Sequence, residues 1–312
     1  MSGPSRVTEQ LASSRAQDGR FWGSTLSDYW ALTKPEVNFL ILITTAVGFY
    51  LGCGNEARPL SVLSLLNTLL GTLLVASGTG TLNQYIEREL DAQMRRTARR
   101  PAAAGRLKPA AVLTFGIVLA GTGSIYLAIA ANLLASLLAI LTLLTYLFVY
   151  TPLKQKTPLC VLVGAFPGAM PPLIGWAAAA GRLNSEAWTL YAALFLWQFP
   201  HFMAIAWMYR EDYDRAGYLV LPTGEARVRF VTLETLLPLL VLVAISMVQF
   251  PTRHAVIFYC AGALMGLGFL YFGLEFVLQR SRSAARRLLA ASIVYLPLLF
   301  VLSATLCKPT RT

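Results

Sequence analysis

Charged residues are scarce in this chain, and it lacks the cysteine and histidine spacings that are typical of a disulfide framework or a covalent haem attachment site. Asp, Glu, Lys and Arg make up 13% of the 312 residues and hydrophobic residues 56%, whereas about 25% of an ordinary soluble domain is charged. The four cysteines and two histidines form no CxxC, CxxCH or His/Cys metal motif. Residues 1–20 contain no apolar run, so we expect no cleavable signal sequence. The composition therefore predicts a membrane protein.

Nine apolar runs are long enough, or nearly long enough, to cross a bilayer, which takes about 20 residues in a helix. They are 37–53, 60–82, 110–130, 133–150, 159–180, 187–208, 230–250, 255–278 and 288–307. We assign residues 36–307 to one intramembrane domain, residues 1–35 to a cytoplasmic tail with an interfacial segment, and residues 308–312 to a short tail. Phe21, Trp22, Tyr29 and Trp30 are typical of such an interfacial segment.

Basic residues are distributed unevenly between the two sides of these runs. When the connections are numbered alternately, 21 of the 26 Lys and Arg residues fall on the side of the N-terminus. By the positive-inside rule that side is cytoplasmic, and an odd number of spans places the C-terminus on the far side. The net charge of +11 therefore requires no nucleic acid as a partner.

Two of the runs contain residues that are unusual in lipid-facing helices. Run 159–180 holds three prolines and three glycines, and run 187–208 holds Gln198, Pro200 and His201, so neither is expected to be a plain, unbroken helix. Broken membrane helices persist only where the freed backbone groups are buried in protein or face a wet cavity. We predict an all-α polytopic membrane protein, with nine transmembrane helices around a central cavity that opens to the cytoplasmic side.

The densest polar segment, NQYIERELDAQMRRTARRP, follows the second run and covers residues 83–101. Asn83, Glu87 and Asp91 lie at i, i+4 and i+8 and share one face of a helix. Magnesium binds one or two carboxylates and completes its shell with water and phosphate oxygens. Clustered arginines bind phosphate oxygens, and the segment supplies Arg95, Arg96, Arg99 and Arg100. The alternative is a solvated juxtamembrane face, but the continued NxxxExxxD spacing favours a metal–diphosphate site.

A second polar segment, YREDYDRAG, follows the sixth run and contains Tyr209, Asp212 and Tyr213. It could supply ligands for a second metal, or it could be an ordinary charged turn. Lys154 in YTPLKQKTP is a candidate phosphate partner or a positive-inside charge. His201 lies about two turns inside the membrane, where an ionisable residue is a functional-site hypothesis. Its neutral imidazole could ligate iron or shuttle a proton, and the alternative is a structural histidine.

Several segments together resemble the haem-farnesylating branch, the haem O synthases, of the UbiA superfamily of intramembrane aromatic prenyltransferases. They are NQYIERELDAQMRRTARRP, YTPLKQKTP with GAFPGAMPPLIGW, and WQFPHF with REDYDRAG. The opening segment LTKPEVNFLILITTAVG is also similar, and the resemblance covers roughly residues 30–305. The first acidic motif indicates the superfamily, whereas PPLIGW and WQFPHF point to the haem branch.

The resemblance implies that magnesium-bound farnesyl diphosphate donates its farnesyl group to a vinyl group of haem b, with addition of water, giving haem o and diphosphate. The superfamily's Asn-Asp-Asp motif maps onto Asn83, Glu87 and Asp91, with Glu in place of the first Asp. Glu87 still offers a carboxylate, one methylene further out, so we expect metal binding to persist.

The superfamily's second motif, DxxxD, maps onto Tyr209 and Tyr213, neither of which is acidic, so we assign Asp212 as the substitute carboxylate. The predicted site residues are, for catalysis, Asn83, Glu87, Asp91, Lys154, His201 and Asp212; for magnesium, Asn83, Glu87, Asp91 and Asp212; and for substrate binding, Lys34, Arg95, Arg96, Arg99, Arg100, Tyr150, Tyr209 and Tyr213.

Two other functions compete with haem farnesylation. A prenyltransferase of the same superfamily could use a quinone precursor as acceptor. A transporter with a broken helix is disfavoured because the polar residues concentrate at one face and no clear inverted repeat is visible. The composition implies the lipid bilayer as surroundings, and the lack of a transit-like N-terminus favours a bacterial inner membrane over a mitochondrial one. The resemblance implies haem A synthase or oxidase-assembly proteins as possible partners.

Overall fold

A computed structural model describes residues 25–55, 60–246 and 255–306. In those ranges every regular element is helical, and nine helices are long and apolar enough to cross a membrane. They are α1 (Pro35–Asn55), α2 (Val62–Ile86), α3 (Pro109–Ala130), α4 (Leu133–Leu153), α5 (Cys160–Ala180), α6 (Ser185–Met208), α7 (Ala226–Ser246), α8 (Ala255–Gln279) and α9 (Arg282–Leu306). The predicted all-α class and the number of spans are confirmed.

The helix boundaries differ from the sequence-based ones mainly where charged residues lie in the first turn of a helix or just after its last turn. α7 begins at Ala226 rather than at 230, and α9 begins at Arg282 rather than at 288, because long basic side chains can extend from a helix end to the membrane surface. α2 continues to Ile86 instead of ending at 82. The predicted interfacial segment is helical over residues 25–32, whereas Phe21 and Trp22 lie outside the described residues.

The two proline-containing helices behave differently. α5 is divided, as predicted, into Cys160–Gly168 and Pro171–Ala180. α6 is a single helix with Pro200 inside it, so the expectation that this span is interrupted is wrong. One missing proline N–H frees few backbone groups, and neighbouring helices can satisfy them in a membrane protein. The buried side-chain amide of Gln198 donates to the Ala165 carbonyl of α5 at 3.0 Å. This polar residue therefore forms a hydrogen bond between α5 and α6.

Glycines bring helices α1 to α5 into close contact. A Cβ atom on Gly175 of α5 would overlap the Thr45 carbonyl of α1, and one on Gly48 of α1 would overlap the Pro172 carbonyl. Gly116 of α3 would similarly meet the Leu82 side chain of α2, at 2.7 Å. Small residues let membrane helices approach closely enough for van der Waals packing.

Helices α6 to α9 pack around larger side chains. Phe258, Phe276 and Phe300 of α8 and α9 are buried in the main hydrophobic cluster. The Trp197 indole of α6 donates to the Ser292 carbonyl of α9 at 2.8 Å. These contacts fix α6, which carries His201 and leads into the second polar segment, against α9.

The contact between α1 and α5 predicts a large effect of a small substitution. Gly175→Ala should destabilise the protein by about 1–3 kcal/mol, because the new methyl group meets backbone atoms that cannot move independently. The matched control is Gly121→Ala in α3, where a Cβ atom would have nothing within 4 Å. Thermal unfolding in detergent should show a lower midpoint for Gly175→Ala only; equal midpoints for the two variants would contradict the described packing.

Candidate active site

Asn83, Glu87 and Asp91 are all buried, with 1%, 4% and 1% of their surface exposed. Asn83 lies in the last turn of α2, Glu87 in the turn after it, and Asp91 ends the short helix Arg88–Asp91. The backbone N–H of Glu87 donates to the backbone carbonyl of Asn83 at 2.9 Å. The backbone N–H of Asp91 likewise donates to the backbone carbonyl of Glu87 at 2.8 Å. These bonds preserve the i, i+4, i+8 register. Because all three side chains are buried, the alternative of a solvated juxtamembrane face is excluded for them.

Glu87 is the centre of a hydrogen-bond network. Its Oε1 accepts from Lys154 Nζ at 2.8 Å and from the Tyr218 hydroxyl at 2.9 Å, and its Oε2 accepts from Asn83 Nδ2 at 2.9 Å. A buried carboxylate is tolerated when it is both paired with a cation and hydrogen-bonded, and Glu87 satisfies both conditions.

Lys34 reaches the same network from the start of α1. Its Nζ donates to Asn83 Oδ1 at 2.8 Å, and its backbone adopts a left-handed φ of 54° between the helix 25–32 and Pro35. Burial, together with the positive charges of Arg100 and Lys154, lowers the pKa of Lys34 to about 7. An anionic ligand nearby would favour its charged form.

Asp91 is paired with the arginine-rich segment that follows it. Arg100 Nη1 donates to Asp91 Oδ2 at 2.7 Å, and the buried Thr97 hydroxyl donates to the Asp91 carbonyl oxygen at 2.8 Å. The side chains of Arg95, Arg96 and Arg99 are exposed. Of the four predicted phosphate-binding arginines, the structure thus joins only Arg100 directly to the acidic motif.

A π-helical turn at the end of α4, Thr145–Tyr150, places the next residues beside Asn83. The Thr151 hydroxyl accepts from Asn83 Nδ2 at 3.3 Å and donates to the Tyr146 carbonyl at 2.8 Å. Lys154 Nζ lies 4.6 Å from the centroid of the Tyr150 ring. Such turns are frequent at functional sites, and this one precedes Lys154, whose ammonium group lies over the Tyr150 ring.

The second polar segment packs over the first. The Leu219 amide donates to the Lys154 carbonyl at 2.7 Å, and the buried Tyr218 contacts Met94 and Ala216 in a small hydrophobic cluster. The two long connections therefore form one layer at the end of α2.

The residues predicted in the second segment contribute unequally to this layer. Tyr213 packs edge-on against Tyr218, with ring centroids 6.0 Å apart, and the Tyr209 ring lies 5.4 Å from the Arg96 guanidinium. Asp212 accepts from Arg215 at 3.1 Å, and no contact joins it to Glu87 or Asp91 in the described part of the chain.

We refer to this set of side chains as the α2 polar cluster: Lys34, Asn83, Glu87, Asp91, Arg100, Lys154 and Tyr218. Burial alone would raise the pKa of Glu87, but the charge of Lys154 and the hydrogen bonds from Lys154 and Tyr218 hold it below its usual value. Burial and the negative charge of Glu87 raise the pKa of the Tyr218 phenol. Burial opposes the charge of Lys154, but Tyr150 and Glu87 hold its pKa well above the usual value.

The donor set of the α2 polar cluster is compatible with magnesium. Asn83, Glu87 and Asp91 provide buried oxygen atoms on one helical face, and magnesium needs only one or two carboxylates when a phosphate supplies further oxygens. No group of three Asp, Glu, His or Cys side chains forms a metal site within the described ranges. A bound cation would therefore depend on water and on oxygens of the ligand to complete its shell.

His201 lies deeper in the bundle, away from these ionic contacts. It is seven residues from the end of α6 at Met208, or about 10 Å at 1.5 Å per residue. Its Nδ1 forms a hydrogen bond with the Ser292 hydroxyl at 2.8 Å, and its ring stacks on Trp197 with centroids 4.5 Å apart.

Sequence reasoning missed three residues that the structure places in these networks: Thr151, Tyr218 and Ser292. Thr151 and Tyr218 contact the acidic motif from 68 and 131 residues away. Thr151 lies within YTPLKQKTP and Tyr218 directly follows YREDYDRAG, but neither is itself charged. Nothing in the local pattern could have identified them, because their contacts join segments that are distant along the chain.

The chain matches the model of the UbiA prenyltransferase family over residues 41–301. The chain therefore belongs to the UbiA prenyltransferase family. It is 44% identical over 282 residues to the protoheme IX farnesyltransferase of Solibacter usitatus (strain Ellin6076), covering 88% of this chain and 97% of that protein. It is 41% identical over 305 residues to the protoheme IX farnesyltransferase of Koribacter versatilis (strain Ellin345), covering 95% and 97%.

Solved structures share the fold at low sequence identity. A structure of digeranylgeranylglyceryl phosphate synthase is similar with a TM-score of 0.70 at 16% identity, covering 91% of this chain and 99% of that one. A UbiA homolog from Archaeoglobus fulgidus, bound to GPP and Mg²⁺, is similar with a TM-score of 0.63 at 15% identity, covering 88% and 99%. These likenesses establish a shared multi-pass membrane fold.

The network around Glu87 predicts that its charge contributes to stability. Glu87→Gln should lower the free energy of unfolding by about 1.5–3 kcal/mol, because it weakens hydrogen bonds made to a charged group and leaves Lys154 without its carboxylate. The matched control is Glu89→Gln, two residues away, whose side chain is 80% exposed. Thermal unfolding in detergent should separate the two variants; identical midpoints would show that the Lys154 ion pair contributes nothing.

Proposed function

We propose that this protein transfers the farnesyl group of farnesyl diphosphate to a vinyl group of haem b, with addition of water, and so produces haem o and diphosphate. The α2 polar cluster carries the proposal, because it holds three partly buried basic side chains against two buried carboxylates, with exposed arginines beside it. This arrangement suits a metal-bound diphosphate. The relatives named protoheme IX farnesyltransferase support haem as the acceptor.

The basic residues have a direct role in the first step. When the bond between C1 of the farnesyl chain and the diphosphate oxygen breaks, negative charge develops on the diphosphate. With the diphosphate at the α2 polar cluster, Lys154, Arg100 and Lys34 would stabilise that charge, and preorganised charges are usually the largest contribution to catalysis. Glu87 and Asp91 orient Lys154 and Arg100 through the ion pairs described above.

Asn83, Glu87 and Asp91 would hold magnesium, with Asp212 as a candidate ligand for a second ion. When bound, magnesium neutralises diphosphate oxygens and makes the diphosphate a better leaving group. The homolog from Archaeoglobus fulgidus bound to GPP and Mg²⁺ supports this assignment by analogy of fold.

The acceptor reacts in the apolar part of the bundle. The terminal carbon of the haem vinyl group forms the new bond to C1 of the farnesyl chain, and water adds to the neighbouring vinyl carbon and loses a proton. Hydrophobic side chains around the reacting carbons would limit premature capture of the allylic cation by water. His201, on the helix that leads to the second polar segment, is the candidate to contact the haem iron or to accept that proton.

We also propose that the N-terminus is cytoplasmic, on the basis of the Lys and Arg distribution, in the bacterial inner membrane expected from the sequence. Alkaline phosphatase fused after Thr312 should then be active in whole cells, whereas green fluorescent protein fused there should be dark. If the fluorescent fusion were bright and the phosphatase fusion inactive, the C-terminus would be cytoplasmic and the proposed orientation would be wrong.

The direct test is turnover by the purified protein in detergent or nanodiscs. Incubation with haem b, farnesyl diphosphate and magnesium should yield haem o, detected by mass, and removal of magnesium with a chelator should stop its formation. Prenylation of a hydroxybenzoate without any haem o would instead favour the quinone branch of the family.

Asp91→Asn tests the acidic motif. It should reduce turnover at least about 100-fold, since losing one electrostatic group that supports the transition state costs about 10²–10³ in rate. Glu89→Gln, in the same short helix, should keep near-normal turnover. Circular dichroism should show a folded helical protein in both cases, and near-normal haem o formation by Asp91→Asn would show that Asp91 is only a structural charge.

His201→Ala tests the deeper site. If His201 contacts haem or accepts the proton, the variant should lose about 100-fold in turnover, the lower end of the usual range for a positioned acid–base group. The other histidine, His254, provides the control as His254→Ala. Unchanged haem binding and turnover in His201→Ala would remove His201 from the mechanism.

A further inference from the structure

The hydrogen bonds around Ser292 determine which nitrogen of His201 carries the proton. Ser292 lies in α9 and is fully buried, with 0% of its surface exposed. Its Oγ is 2.6 Å from the Leu289 carbonyl oxygen and 2.8 Å from His201 Nδ1. A carbonyl oxygen cannot donate, so Ser292 must donate its only hydroxyl hydrogen to Leu289.

The bond between Ser292 and His201 must therefore be donated by the imidazole. Were Nδ1 unprotonated, two acceptors would face one hydroxyl hydrogen, and one of the short contacts would be repulsive. A neutral imidazole carries a single N–H, so the proton lies on Nδ1 and Nε2 keeps a free lone pair. Among the described residues, no hydrogen-bond donor or acceptor contacts Nε2.

The ring is also fixed in orientation. Trp197, one turn earlier in α6, stacks on His201 at an interplanar angle of 26° and donates its indole N–H to the carbonyl of the same Ser292. Ser292 thus holds both side chains, one through its hydroxyl and one through its backbone. Because Nδ1 bonds to the fully buried Ser292 of α9, the Nδ1 edge of the ring faces the contact between α6 and α9, and Nε2 is directed away from Ser292.

We propose that Ser292 is a positioning residue that fixes His201 in the Nδ1–H tautomer and leaves Nε2 as an electron-pair donor for the substrate. This proposal rests on the proposed function for the role of Nε2, but the tautomer itself does not. Partners that set the tautomer of a metal-ligating histidine typically affect metal affinity or activity about 10- to 100-fold, and we expect an effect of the same order for Ser292.

The tautomer can be measured without any substrate. The chain has two histidines, so ¹⁵N-histidine labelling of the His254→Gln variant leaves one imidazole to observe by solid-state NMR in bilayers. We expect a protonated Nδ1 and an unprotonated Nε2 in that protein. Ser292→Thr, which keeps the hydroxyl, should retain this pattern, whereas Ser292→Ala should show protonated Nε2.

A matched control comes from the same helix. Ser303 is buried in α9 and donates its hydroxyl to the Leu299 carbonyl at 2.9 Å. Ser303→Ala should therefore change neither the tautomer nor turnover. Ser292→Ala should reduce turnover about 10- to 100-fold, and Ser292→Thr should restore most of it.

The outcomes separate the two proposals. A protonated Nε2 in the starting protein, or a tautomer that is unchanged in Ser292→Ala, would overturn the role of Ser292 even if haem o is formed. If NMR shows the expected tautomers but no haem o is formed, the proposed function would be overturned, while the positioning of His201 by Ser292 would stand. Full turnover in a Ser292→Ala protein with the altered tautomer would show that the tautomer has no role in the reaction.

Discussion

The buried negative charge of Glu87 is the constraint on which the polar end of this membrane bundle depends. A carboxylate removed from water is strongly destabilising unless a cation and hydrogen-bond donors surround it. Here those partners are Lys154, Tyr218 and Asn83, which come from three separate parts of the chain. The connections after α2, α4 and α6 must therefore meet at one point, and the same meeting point forms the proposed diphosphate site.

Helices α1 to α5 and helices α6 to α9 are packed by different kinds of side chain. Among α1 to α5, glycines such as Gly48 and Gly175 allow α1 and α5 to touch along their backbones. Among α6 to α9, aromatic side chains and polar anchors such as Ser292 hold α6 against α9. The backbone bond between Leu219 and Lys154 joins the two groups of helices at the site, so neither group alone would complete it.

Part of this arrangement could be predicted from particular residues. Hydrophobic runs predict nine spans because a bilayer demands about 20 apolar residues per helix, and the prolines and glycines of 159–180 predict the divided α5. The i, i+4, i+8 spacing places Asn83, Glu87 and Asp91 on one face. The continuity of α6 through Pro200 could not be predicted, since it depends on neighbouring helices rather than on the proline.

The chain's local patterns determine what each segment is: a span, a divided helix, an acidic face or a basic loop. These properties follow from side chains within a few residues of one another. Tertiary structure decided which polar side chains contact the acidic motif, because Lys154, Tyr218 and Arg100 reach it whereas Asp212 pairs with Arg215. It also decided the environment of His201, whose partner Ser292 is 91 residues away. Contacts over such distances depend on how the helices pack, which no local periodicity encodes.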